Sequence, residues 1–298
     1  MRIYGALISL SLIWGLSFVF IKWLSEFAGV WGTVFIRCLA GAVILLPILY
    51  IKRKEIIRPI PWKNLIIVGI LNCGLPWGLI SLSETALNSS TAAVLNAMTP
   101  ICTGLIGFLF FSNKLNRMQW AGIFIGFIGI WVLMGAHVKP VETFSFVGFG
   151  TMLLATICYG SASQFTKHYL NGAGVVLITT VSLLTGSLIG LLGMILSGPS
   201  MTEPLSGEVW ISIIGLGCFG SGIATLLYFY IMTKGSPEFA STVTYIIPAT
   251  AMIWGYVLLH EHITKNLVIG LLIIFTGIAM TKARKRKIIG GQPARKHA

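Results

Sequence analysis

Ten apolar stretches divide this chain into two sets of five, and the second set echoes the first. Trp14, Gly15, Phe20 and Lys22 return 145 positions later as Tyr159, Gly160, Phe165 and Lys167. Further along each half the displacement is 148, which aligns Ala92, Pro100, Gly122 and Gly129 with Ala240, Pro248, Gly270 and Gly277. A drift of three residues is one loop insertion. Because five is odd, a copied five-span unit must enter a membrane facing the opposite way, and inverted repeats of this kind are a common way to build transporters.

The chain has 298 residues, 56% of them hydrophobic and 10% charged, with a mean hydropathy of +0.89. So few polar side chains cannot cover a water-soluble globule, and we expect an all-α polytopic membrane protein with ten transmembrane helices as two inverted five-helix repeats. A helical span needs about 20 apolar residues. The expected spans are 3 to 24, 31 to 51, 64 to 84, 90 to 111, 118 to 136, 146 to 168, 173 to 197, 209 to 232, 238 to 259 and 266 to 282. They group into a first repeat over 1–137, a second over 145–283 and a basic tail over 284–298. The first span could pass for a cleaved signal peptide, but its partner beginning near Phe146 is internal, which argues that the first is retained.

The net charge of +13 invites a nucleic-acid reading, which its distribution answers. With the N-terminus inside, seventeen of the 21 Lys and Arg fall at inner positions. Only Lys22, Lys139 and Lys265 fall at outer ones, and Arg37 lies within a span. That bias places both termini in the cytoplasm of a cell-membrane protein. The tail after Lys282 is expected to touch anionic lipid. No folded basic face is available for nucleic acid.

Proline inside a helix frees the carbonyl four residues earlier, which lipid cannot satisfy. Pro100 frees Asn96 and Pro248 frees Thr244, at matched places in the two halves. Paired broken helices point to a substrate site at the midplane. The plainer alternative is a packing kink relieved by Ser90, Thr91, Thr99 or Thr242. Trp14 and Lys22 are about 12 Å apart along a helix, as are Tyr159 and Lys167. Two aromatics with an amine at each mouth suit a small amphipathic or carboxylate-bearing solute. For the lysines, interfacial snorkelling is the simpler reading; for Trp14 and Tyr159 the pocket is preferred, since each stands beside a glycine that admits close approach. The candidate substrate-binding set is Trp14, Ser17, Asn96, Pro100, Tyr159, Gln164, Thr244, Tyr245 and Pro248. The candidate gating or charged set is Lys22, Arg37, Glu84 and Lys167.

Arg37 falls about 10 Å inside its span, within reach of Lys22, Glu26 or Glu84, and a structural ion pair is the expected role. Eight glutamates are the only acids, and none is placed clearly at mid-membrane; Glu84 comes nearest. Obligatory proton coupling through a buried carboxylate is therefore not indicated. His260-Glu261-His262 resembles a metal motif, but imidazoles two apart on a helix diverge, and the repeat partner Ser112-Asn113-Lys114 carries no ligand set. The five cysteines read as small apolar residues. Gly122-xxx-Gly126 and Gly186-xxx-Gly190 permit close helix approach. No P-loop, G-x-S-x-G or H-E-x-x-H occurs, so we expect neither an enzyme nor a cofactor.

Trp14-Gly15-Leu16-Ser17-Phe18 with Lys22, Arg37 in the second span, and Ala240 through Pro248 followed by Leu258-Leu259-His260-Glu261 and Gly270 resemble the EamA-type branch of the drug/metabolite transporter superfamily. The resemblance covers residues 1 to about 283. It implies a ten-helix inverted-repeat fold that carries small metabolites such as amino acids, vitamins or amphipathic compounds by alternating access, with export the commonest direction. Asn113 stands where the second half has Glu261, which departs from the family pattern and puts a symmetric role for that glutamate in doubt. A membrane-embedded enzyme acting on a lipid or prenyl substrate is the alternative. It would need clustered acids or a metal site that the absence of aspartate makes hard to supply. The partners expected are a small-molecule substrate and the bilayer, with the chain a monomer or homodimer.

Overall fold

The computed structural model describes residues 2–56, 59–112, 115–133, 143–170, 172–198, 206–234 and 243–282, and among them there is no strand. Helix α1 runs Arg2–Ile51 and is interrupted once, at Gly29, with φ 67° and ψ 179°. That φ is open to glycine and costly for residues carrying a Cβ. The interruption is a reversal. Ser17 and Phe20 of the first arm lie against Gly220 and Gly215, while Ala40 of the second lies against Gly217 and Arg37 bonds Ser221. On a straight helix residues 17 and 37 would be about 30 Å apart, so both can meet adjacent residues of one neighbour only if the chain doubles back. The two arms are the stretches expected at 3 to 24 and 31 to 51.

Helix α2 spans Trp62–Ala86 and α3 spans Ser89–Phe110. Asn88 caps α3 by accepting the Thr91 N–H at 2.8 Å, and α3 breaks at Ala97–Met98, after which Pro100 sits in the first turn of Thr99–Phe110. A proline there loses no helical hydrogen bond. The remaining elements are α4 (Arg117–Leu133), α5 (Thr143–Tyr169), α6 (Val175–Ser197), α7 (Gly207–Ser212 continuing through Ile213–Ile223 into Ala224–Lys234), α8 (Val243–Leu259) and α9 (Lys265–Lys282). Two stretches are π-helical, Ile70–Gly74 in α2 and Ile213–Ile223 in α7. Displaced by 145 to 148, the first falls inside the second.

Among the described residues six helices are long and apolar enough to cross a membrane, α1 among them, and three shorter apolar helices lie in α4, α8 and α9. Large apolar side chains point outward, Leu196 at 87% exposure and Phe124 at 69%, while Arg37, Ser81, Ser83 and Glu84 are buried. This inverts the arrangement that water favours and suits a lipid surround.

Contacts between the two halves recur in matched pairs. Gly15 meets Thr250 and the backbone of Ala251, and Gly160 meets the backbone of Cys102 and Thr103, the same positions less 148. Thr250 Oγ1 donates to Ser11 O at 2.8 Å, and at the corresponding places Cys102 Sγ and Thr156 Oγ1 are 3.2 Å apart. Gly129 meets Gly270 and Ile274, while Gly277 meets Gly122 and Gly126. Gly41 touches Leu183, and Gly186 touches Cys38.

Candidate functional site

Four of the expected residues converge where α1, α2, α5 and α7 pack together. In the first arm of α1, Trp14 Nε1 donates to Gly220 O at 3.1 Å and its ring lies 5.5 Å from that of Tyr228. One turn on, Ser17 Oγ turns back to Ile13 O at 2.8 Å and packs on Gly220. From the second arm, Arg37 lies with its guanidinium carbon 3.7 Å from the centre of the Trp77 ring, and its Nε donates to Ser221 Oγ at 3.3 Å. Tyr159 of α5 interacts with both Trp77 and Arg37. Tyr159 and Tyr228 are both half-buried.

Arg37 is 4% exposed. An ion pair was the expectation; the structure instead sets an indole face and a hydroxyl against it. Among the described residues no carboxylate lies within ion-pair distance, and Glu84 acts on it only electrostatically. Trp77, Ser221 and Tyr228 are absent from the sequence-derived set. An aromatic or a serine in an apolar span carries no mark of its own, and a π-helical stretch cannot be read from the run of residues. The recurrence of glycines at 215, 217, 220 and 222 was the one available signal for α7.

A second cluster lies at one end of the bundle and ties the halves together. Glu84, near the end of α2, is fully buried; Ser89 Oγ reaches its Oε2 at 3.5 Å, and its Oε1 has no partner. Half-buried Lys22 donates to the Glu84 main-chain carbonyl at 2.8 Å. This amine is therefore held by protein rather than reaching to an interface. Glu261, just past α8, crosses to the start of α3: its Oε1 accepts the Ser89 N–H at 2.7 Å, and its Oε2 accepts the Ser90 N–H at 3.0 Å and the Ser90 hydroxyl at 2.6 Å. A carboxylate on the free N–H groups of a helix start is favoured by hydrogen bonding and by the helix dipole. His260, at φ 54°, turns the chain so that the Glu261 N–H donates to Gly255 O. In the His-Glu-His run the central residue is thus a helix cap, and among the described residues no group of three potential ligands is poised for a metal.

The remaining expected residues lie apart from both clusters. The Asn96 carbonyl that Pro100 would free accepts the Thr99 hydroxyl at 2.7 Å, a local remedy by a neighbour. Pro248 is buried within α8, which continues through it. Gln164 Nε2 donates to Thr103 O at 3.1 Å and its Oε1 is unpartnered. Lys167 is exposed, Thr244 is half-buried, and the side chain of Tyr245 lies outside the described residues, as do Asn113, Lys114 and the tail.

Comparison with known proteins adds the family. The profile of the EamA-like transporter family matches residues 1–135 and 146–282. The uncharacterized transporter YoaV of Bacillus subtilis is 26% identical over 94% of this chain and 96% of its own length. The uncharacterized inner membrane transporter YedA of Escherichia coli K12 is 25% identical over 88% and 85%, and the protein PecM of Dickeya dadantii is 24% identical over 87% and 92%. A crystal structure of a protein 16% identical in sequence matches with a TM-score of 0.66 over 97% of this chain and 99% of that one, which speaks to the fold alone. This chain belongs to the EamA-like transporter family and is a multi-pass membrane transporter.

Proposed function

We propose that the chain is a secondary carrier in which two five-helix units, residues 1–137 and 145–283, rock about a central solute site. The observation that carries this reading is the matched pairing of contacts between halves. Gly15 on Thr250 and Gly160 on Cys102 and Thr103 are one contact made twice, as are the two contacts joining α4 to α9. Pairing of this kind is what a pseudo-two-fold axis between inverted units generates. With α1 counted as two spans, the helices among the described residues number ten, as this reading requires. The site we assign is the space bordered by Trp14, Ser17, Arg37, Trp77, Tyr159 and Tyr228. Asn96, Pro100, Gln164, Thr244, Tyr245 and Pro248 belong to the paired helices α3, α5 and α8 around it.

The cap of Glu261 on Ser89 and Ser90 closes one end of that space. The distribution of Lys and Arg makes this the outer end, with both termini cytoplasmic. Opening outward then requires Glu261 to leave the α3 N–H groups, with Lys22 and Glu84 released alongside; Lys167 occupies the matching position at the other end. Carriage of a small metabolite fits this arrangement and the family resemblance, and export is taken from the family resemblance alone.

The test is solute counterflow in proteoliposomes with preloaded amino acids, vitamins and amphipathic compounds. Saturable exchange that Trp14→Ala weakens at least about tenfold is expected, the loss of one buried aromatic contact and its hydrogen bond being worth about 1.4 kcal/mol or more. Absence of exchange for every compound would overturn the reading.

A further inference from the structure

Resting on that central site, we propose that Arg37 is its anion-recognising residue, so that the solute carries a carboxylate or similar anion on an apolar body. Three observations converge on this.

The first is an unmet charge. A guanidinium buried to 4% exposure in a bilayer is costly, and such residues ordinarily pair with an opposite charge. Here, among the described residues, none closes on it. Lys22 is occupied by the Glu84 carbonyl and Glu261 by the start of α3. Glu84 keeps its Oε1 unpartnered without reaching the arginine.

The second is pre-organisation. Trp77 stacks one face at 3.7 Å and Ser221 holds Nε at 3.3 Å. Ser221 Oγ is itself directed to Leu216 O at 2.9 Å, within the π-helical stretch of α7. Stacking and the Nε bond fix the plane but use only one of five N–H donors, leaving the outer fork of the guanidinium for a planar anion. The third is company. Tyr159 stands beside both Arg37 and Trp77, so the anion subsite opens onto aromatic surface suited to an apolar solute body. The missing counter-charge then arrives with the solute.

The test uses pairs of probes that share a body and differ in charge. Phenylacetate and phenethylamine, hexanoate and hexylamine are each added to the purified full chain in detergent and thermal unfolding is followed. Arg37→Lys keeps the charge but loses the planar fork; Arg37→Met removes the charge at similar volume. We expect the acids and not the amines to raise the unfolding temperature, and both variants to abolish that rise. Ligand-free Arg37→Met should unfold no lower than the unaltered protein, since it loses an unpaired buried charge.

The inference is overturned if amines alone shift the protein, if neither class does, or if the acid shift survives Arg37→Met. It is equally overturned if both variants fail to fold, because the arginine would then be holding the bundle. Counterflow of a cation or neutral solute that persists in Arg37→Lys would remove Arg37 and leave the carrier standing. Absence of any counterflow would remove both.

Discussion

Glu261 makes three hydrogen bonds across a sequence separation of more than 170 residues. Hydrogen bonds to a charged group are worth about 1.5 to 3 kcal/mol, and a helix cap about 0.5 to 2. We therefore expect Glu261→Gln, which keeps the shape and weakens the charge, to destabilise by about 1 to 2 kcal/mol. Ser90→Ala should cost less, since both main-chain bonds remain. Thermal unfolding in detergent measures both, and an unchanged midpoint for Glu261→Gln would remove it from the closure. Neither residue's partner could be read beforehand: the sequence offered Glu261 as part of a metal-like triplet and placed no acid at depth, while its true partner is two main-chain N–H groups of a distant helix. Arg37 was legible as a buried charge because a basic residue interrupts an apolar run. That its companion is a ring was not, because Trp77 in α2 looks like any other residue of an apolar span.

Helices were the most legible level, since uninterrupted apolar runs of about 20 residues have few alternatives. Where the expected stretches fall on described residues the chain is helical, with six helices long and apolar enough to span and three shorter ones, and the reversal at Gly29 leaves so short a gap that α1 reads as one helix. Glycine is needed there by its φ of 67°. Gly29→Ala is expected to cost about 1 to 3 kcal/mol, because positive φ with ψ near 180° is open to little but glycine, and a lower unfolding temperature checks it. The prolines were less informative. Matched in sequence, they differ in setting: α3 breaks two residues ahead of Pro100, whereas α8 runs on through Pro248, because packing decides whether a freed carbonyl is met locally. Gly15 and Gly160 give a sharper comparison. Leucine at either place would collide with Thr250 and Ala251, or with the main chain of Cys102 and Thr103, so each substitution should abolish exchange in proteoliposomes. If Gly15→Leu is inactive and Gly160→Leu fully active, the two contacts are not equivalent.

For the molecule in its membrane, the decisive prediction concerns sidedness. Single cysteines placed at residues 54 and 285 in a background without the five native ones should react with an impermeant reagent from the same, cytoplasmic, face. Opposite faces would dismantle the two-unit arrangement. The proposed duplication is also unmatched in one telling respect. Glu261 binds the start of α3, whereas the corresponding position in the first half is Asn113. Two conformers related by an exact exchange of halves would be equally populated. One carboxylate without a twin removes that degeneracy, and a difference of only about 1.4 kcal/mol already favours one conformer tenfold. Were the proposed rocking to hold, the empty protein would therefore wait with the same door shut on most molecules, and the two faces would differ in how readily each offers the site, with no net flow between identical compartments.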